Sequence, residues 1–323
     1  MRSIQTNLAF PLSSVKPLGQ LLSYRQRCLG LTRAALEKGT RARECSPVSH
    51  LPLEPFGTVE GLPYGRCPES GSLFLMELPS SEEWTNLLTQ VLQYRHSPQA
   101  FHRSIAQSRS DNVYAPKLEW IQNTLRIQGI RQPRVLEITT RPSDFTPLLK
   151  ESVSFSEVLT VDEMRLSASP DGNPSTPVDM AVLLESLDRV DDPERLVKAV
   201  ANHLREGGLL FVTALVSSGF DVAVLGLRNL YLYPPDRANC FSLSGLCKLL
   251  TRSGLSLLEV STPGVLDVEI VQAHLKQDPG LALSAFEWEL MQAEPHTREA
   301  FQAFLQAQGL SSFARIVARR VRQ

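Results

Sequence analysis

The chain has no apolar run long enough to cross a bilayer. Its least polar stretch, Gly207 to Phe220, is closed by Asp221, well short of the roughly 20 residues a spanning helix needs; a buried strand and its following loop account for it. An excess of charge is also missing: the formal net charge is −1, so nothing draws the chain in bulk toward nucleic acid or an anionic membrane. Paired cysteines are missing too. Cys28, Cys45, Cys67, Cys240 and Cys247 are odd in number and scattered, which speaks against a disulfide framework and for a reducing, cytoplasmic setting. No internal repeat, Walker loop, metalloprotease helix or Ser-His-Asp spacing occurs, so those chemistries have no signature here.

Acid is absent from the first 36 residues, which carry Arg2, Lys16, Arg25, Arg27 and Arg33. That composition suits an organellar transit peptide and equally a tail ahead of the folded domain, the reading we adopt. Without an apolar core and a small-residue cleavage site, secretion is not expected. Residues 1–43 are read as a flexible tail holding one amphipathic helix near Leu18–Lys38.

What is present is globular: 42% hydrophobic and 21% charged residues. Residues 44–80 are rich in Pro and Gly with short strand-like pieces such as Ser72 to Met76. Residues 81–130 read as a helical connector. Ser80 or Ser81 caps a helix beginning Glu82-Glu83-Trp84, and a second helix after Pro116 carries Leu118, Ile121, Leu125 and Ile127 toward a core. From Arg134 short apolar runs alternate with helical segments. Strands are expected over 134–138, 157–161, 178–184, 208–214 and 255–260, and helices over 143–150, 193–204 and 242–253. This alternation defines an α/β fold with a mostly parallel, Rossmann-like sheet covered on both faces, within a domain spanning 131–323. A helical insertion occupies 273–308, with Phe286, Leu290, Phe301, Phe304 and Leu305 as packing candidates. Gly309 and Ser311-Ser312 then break the helix, and Phe313 to Val321 reads as a final strand.

Several segments in order resemble class I S-adenosylmethionine (SAM)-dependent methyltransferases. Asp179 to Leu183 looks like the family's fourth strand. Leu187-Asp188-Arg189-Val190-Asp191-Asp192-Pro193 looks like its L-E-H-V-x-D-P segment, and Leu204 to Leu210 like its L-x-P-G-G-x-L turn. Pro234-Pro235-Asp236-Arg237 through Phe241-Ser242 resembles P-P-x-H-x-x-x-F-S. More narrowly, the resemblance is to bacterial members with a small Cys-rich N-terminal module, some of which modify nucleotide-linked sugars. It covers roughly residues 45–321 and implies SAM as cofactor. Glu137, the loop positions Thr139, Arg141 and Ser143, Asp162 after the second strand, and Leu183 would then border it.

The departures from that pattern point one way. Val135-Leu136-Glu137-Ile138 should run into E-I-G-x-G-x-G, yet Thr139-Thr140-Arg141-Pro142-Ser143 follows. Glycine lets the backbone bend and the ligand lie against it, so these side chains should block the approach. Sixteen residues between Asp162 and Asp179, rich in Ser, Pro, Gly and Asn, leave too little room for a full helix and third strand. Asp162 can equally be an ordinary helix-start residue. The family's two histidines are Arg189 and Arg237 here. Arginine cannot act as a base, so these are positions to test rather than assigned catalysts. It can hold an anion or pair with Asp188, Asp191 or Asp236. In the N-terminal module, Cys45 to Ser49 resembles C-P-x-C and Arg66 to Gly71 resembles R-C-x-x-C-G, each with a cysteine lost. Cys45 and Cys67 remain as vestiges, His50 offers a third donor, and the fourth ligand a zinc site needs is not evident; zinc is not expected.

Two functions lead, ahead of a third, a binder of another nucleotide or sugar in which Arg141 or Arg189 meets a phosphate. One is a methyltransferase-like protein with an overwritten cofactor loop, weakly active or non-catalytic, serving as a binding or scaffold partner of a protein or small molecule. The other is an active SAM-dependent methyltransferase on a small molecule or nucleotide-linked sugar. The sequence leaves catalytic competence open and gives no reason to expect nucleic acid or membrane as partner.

Overall fold

The structure, a computed structural model, describes residues 10–95, 97, 102, 104–139, 143–168 and 176–321. The chain opens with α1 (Leu12–Val15) and α2 (Leu18–Glu37), followed by β1 (Thr40–Ala42). The helix foreseen in the N-terminal segment is α2, but the tail reading fails from Leu12 onward. Leu21, Tyr24, Cys28 and Leu29 are buried along α2; Tyr24, Cys28 and Leu29 pack with Tyr64, Leu75 and Trp84 in one cluster, and Leu21 joins Leu12 and Val271 in another. Apolar residues spaced by helical turns find a partner surface there, and burying them holds the segment down.

Strands β2 (Glu54–Val59), β3 (Leu62–Arg66) and β4 (Leu73–Leu75) form an antiparallel meander, and β5 (Glu77–Pro79) pairs with β1. The connector comprises α3 (Ser81–Arg95), α4 (Ala106–Arg109), a π-helical turn over Ser110–Tyr114 and α5 (Ala115–Ile127). Ile121 and Leu125 are buried as expected, but Ile127 faces solvent; Trp120, two turns earlier, fills the core position edge-on to Phe211.

The main body follows: β6 (Arg134–Ile138), α6 (Phe145–Glu151), β7 (Glu157–Val161), α7 (Glu163–Ala168), β8 (Val178–Leu184), α8 (Pro193–His203) and β9 (Leu204–Leu215). Next come α9 (Phe220–Leu225), β10 (Asn239–Cys240), α10 (Leu243–Arg252), β11 (Leu255–Ser261), α11 (Asp267–Gln277), α12 (Ala285–Gln292), α13 (Pro295–Ala307) and β12 (Phe313–Arg320). The six-stranded sheet has the order β11-β12-β9-β8-β6-β7. β7, β6, β8 and β9 are parallel, while β12 lies antiparallel between β9 and β11. The central strand β8 is apolar on both faces because helices cover both. Asp192 caps α8 by accepting from the Arg195 amide, with Pro193 in the first turn. Gly207 takes φ +74°, and a Cβ on Gly208 would lie 2.8 Å from the Arg205 carbonyl oxygen, so this turn into β9 requires its glycines. Among the described residues β7 is the sheet edge, in line with the shortened third-strand region.

In the helical insertion Leu290 and Leu305 are buried, whereas Phe286 and Phe304 are exposed. Both lie against Phe301 in a surface aromatic cluster. Among the described residues no helix is long and apolar enough to cross a membrane.

The N-terminal meander is joined to the main body. β10 pairs with β4, and Asn239 is fully buried. Its side chain donates to the Leu187 and Val190 carbonyls at 2.8 and 2.7 Å and accepts from Arg43 Nη1 at 2.7 Å. Removing that amide strands three buried polar groups. Asn239→Ala is expected to lower the unfolding free energy by about 3 kcal/mol; urea unfolding checks it, and a loss under about 1 kcal/mol would mean the node does not fix the module.

Candidate functional site

The sheet topology brings the ends of β6 and β8 together, and the acidic residues placed there decide the site. Glu137 is 3% exposed. One of its oxygens accepts from Ser143 Oγ at 2.7 Å and the other from Thr146 Oγ1 at 2.6 Å. Burial raises its carboxyl above the usual range, with those two hydrogen bonds opposing. The carboxylate is therefore satisfied by the loop that a ligand would have to replace. A cavity of about 80 Å³ remains, walled by Glu137, Thr139, Ser143, Phe145, Glu185 and Arg189 among others. That is far below the roughly 300–1,000 Å³ of sites for drug-sized ligands. Of the positions the resemblance assigns to SAM, Arg141 lies outside the described residues. Asp162 stands apart at the end of β7, where its Oδ1 caps α7 by accepting from the Met164 and Arg165 amides, both at 3.0 Å. Leu183 is corrected: its side chain is fully buried in the sheet core, and Leu184 and Glu185 face the cavity instead. The described residues thus do not fit an adenosyl group in this conformation.

Glu185 is the residue the sequence reading missed. It follows β8 with φ +59°, a conformation non-glycine residues rarely adopt. Its oxygens meet Lys117 Nζ at 3.1 Å and Arg237 Nη2 at 2.9 Å. The Arg189 guanidinium donates to the Glu185 carbonyl at 3.2 and 3.3 Å. Burial alone would raise the Glu185 carboxyl, but Lys117, Arg237 and Arg109 outweigh it and hold it well below the usual range. Arg237 also contacts Asp188 Oδ2 at 3.2 Å. Asp188 is fully buried, and burial pushes its carboxyl up to about 7 despite Arg237, with Glu185 adding repulsion. Arg237 is thus an ion-paired arginine, as the acidic neighbours suggested; Arg189 instead braces a backbone carbonyl.

The knuckle needs a change of register. Cys45 is exposed and bridges to Pro52, away from Cys67. The Cys67 thiol, fully buried, instead meets the Ser49 hydroxyl at 3.3 Å. Burial would raise this thiol, but the polar groups of Ser46, Ser49 and Ser70 around it, the Ser70 backbone included, outweigh that and lower it to about 7. Aligning Pro47 with the proline of C-P-x-C puts the cysteine slots at 46 and 49, and C-x-x-C puts them at 67 and 70. His50 turns away to Glu194 at 2.7 Å. Among the described residues no group of three or more His, Cys, Asp or Glu side chains converges as for a metal.

Residues 114–260 match the family model described as a methyltransferase domain, which supports the resemblance to class I SAM-dependent methyltransferases drawn from the motifs. No curated protein matches the chain. Among solved structures, a 1,6-didemethyltoxoflavin-N1-methyltransferase from Burkholderia thailandensis, with S-adenosylhomocysteine bound, is 10% identical. That match covers 83% of this chain and 100% of the other at a TM-score of 0.44. A SAM-dependent methyltransferase from Clostridium acetobutylicum is 12% identical, with 69% and 96% covered and a TM-score of 0.41.

Two tests follow from this geometry. A carboxyl held above its unfolded value stabilises the fold fully below about pH 4 and loses that contribution as pH rises through about 7. Asp188→Asn should therefore gain stability relative to the unchanged protein as pH rises from about 4 to 8, by roughly 2–4 kcal/mol, read from urea melts. A flat difference would show that Asp188 is not held protonated. The triple variant Ser46→Cys, Ser49→Cys, Ser70→Cys should bind Zn²⁺ and give tetrahedral thiolate absorption with Co²⁺; a folded variant that takes up no metal would refute the convergence of the four positions.

Proposed function

We propose that this chain is a methyltransferase-like protein that has lost efficient use of SAM, is weakly active or non-catalytic, and acts as a binding or scaffold partner. The observation carrying this reading is the double hydrogen bond from Ser143 and Thr146 onto Glu137, which fills the strand end where the cofactor loop would open. Arg189 and Arg237, at the family's histidine positions, cannot exchange a proton near neutral pH. A role in binding is supported by the exposed Phe286 and Phe304, which flank the half-buried Phe301, since contiguous surface apolar groups mark contact sites. Localisation in the cytoplasm is part of the same proposal.

A second reading, an active enzyme methylating a small molecule or nucleotide-linked sugar, draws on the half-buried Asp162 at the end of β7. Methyl transfer chiefly requires nucleophile and sulfonium in line, so a missing base is no obstacle in itself. Fold does not choose between the two.

Calorimetry with SAM on the full chain separates them. No binding below millimolar SAM is expected. Restoring glycine at Thr139, Arg141 and Ser143 together is expected to improve affinity by less than about tenfold, because no third strand walls the adenine side among the described residues. Micromolar affinity abolished by Asp162→Ala would overturn the proposal in favour of the active enzyme.

A further inference from the structure

A second cavity, of about 150 Å³, lies between α1, α5, α11 and the start of β12. It shares Arg109, Lys117 and Glu185 with the closed cavity, so it adjoins the same end of the sheet. Its wall carries five cations (Lys16, Arg109, Lys117, Arg237 and Arg315) against two carboxylates, Glu185 and Asp267. Both carboxylates are engaged already. Glu185 is shared by Lys117 and Arg237. Asp267 accepts from Ser311 Oγ, the Ser312 amide and Gln302 Nε2 at 2.6, 2.6 and 2.8 Å.

The other three cations have no such partner. Among the described residues Lys16, Arg109 and Arg315 form no ion pair within 4.0 Å. Lys16 lies 4.1 Å over the Tyr231 ring, and Arg109 donates to the Tyr114 hydroxyl at 3.2 Å. Arg315 is 7% exposed, and its Nε has no hydrogen-bond partner; the Arg237 Nε is likewise unpartnered. Asp221 acts on Lys16, and Glu259 and Glu119 on Arg315, through longer-range attraction. The rest of the wall includes Val15, Leu266, Ile270 and Phe313. Cations buried beside apolar groups with spare N–H donors are costly unless an anion completes them, and guanidinium donors match carboxylate geometry.

We propose that this cavity binds a small organic acid, its carboxylate set among Lys16, Arg109 and Arg315 and its apolar body against Ile270 and Phe313. The cavity is smaller than sites for drug-sized ligands, which limits the ligand to a short chain or single ring. Glu185 and Asp267 share the wall, so a second negative charge on the ligand would face their carboxylates, and a monoanion fits better than a dianion. The ligand enters whether or not SAM binds.

Calorimetry on the full chain without SAM tests this, with hexanoate, its neutral counterpart hexanamide, and hexyl phosphate as probes. Hexanoate should bind at least about tenfold more tightly than hexanamide. Arg315→Gln and Arg109→Gln should each weaken hexanoate about tenfold and leave hexanamide unchanged. Arg109 is half-buried, so its variant keeps the test valid should Arg315→Gln fail to fold. Absence of hexanoate binding at millimolar concentration, equal affinity for the amide, or hexanoate affinity unaltered in Arg109→Gln would overturn the proposal. Tighter binding of hexyl phosphate would overturn the choice of a carboxylate.

Discussion

The Glu185 carboxylate is the interaction on which the rest of this end of the molecule depends. It joins three parts of the chain: Lys117 on α5, Arg237 in the loop before β10, and the turn out of β8 to which it belongs. Its amide donates to the Thr213 carbonyl at 2.8 Å, tying that turn to β9. Lys117 is 1% exposed, and a buried ammonium is tolerable only with a partner. The left-handed backbone at Glu185 costs about 1–2 kcal/mol and persists because the surrounding contacts over-determine it. Without this carboxylate two buried cations would face each other, and neither α5 nor the loop would keep its place over the sheet.

The N-terminal module reinforces the same loops from outside. Tyr64 donates to the Arg237 carbonyl at 2.8 Å, Trp84 Nε1 to the Arg189 carbonyl at 3.1 Å, and Arg43 Nη2 to the Asp191 carbonyl at 2.7 Å. The Ser242 amide donates to Ser72 Oγ at 2.9 Å. Backbone carbonyls at strand ends must find donors; here the module supplies them. Loops that would have to move to admit a nucleoside are bonded to a second layer of protein, so closing the site and docking the module are parts of one arrangement.

The sheet was legible in the sequence because parallel strands buried on both faces leave continuous apolar runs, and Val178 to Leu184 is such a run. The N-terminal helix was legible, but its attachment was not, since that depends on residues near 64, 75 and 84 brought together only by folding. The knuckle misread came from following the cysteine letter at Cys45 rather than the proline at Pro47; a motif that has lost three of four cysteines is carried by spacing alone. Leu183 matches the family's strand motif, but β8 is buried on both faces and meets the cavity only where it ends, at Leu184 and the left-handed Glu185. Glu185 did have a signal, an acid closing an apolar strand, but its partners lie 68 and 52 positions away and no local pattern links them.

Electrostatics connects the blocked cofactor end to the neighbouring cavity. The methyl donor of SAM is a sulfonium cation, and it would have to sit near Arg109, Lys117 and Arg189. Three acids line the same cavity, Glu137, Asp144 and Glu185. Glu185 is already paired with Lys117 and Arg237, and both oxygens of Glu137 are taken up by Ser143 and Thr146. In a site shielded from water like charges repel far more strongly than in bulk solvent, so Arg109, Lys117 and Arg189 disfavour a cation in this cavity independently of loop sterics. The same excess of positive charge favours an anion next door. A neutral pocket would have no preference for an anion; this one is lined by Lys16, Arg109 and Arg315, which form no ion pair among the described residues, and that is the charge an anionic ligand needs.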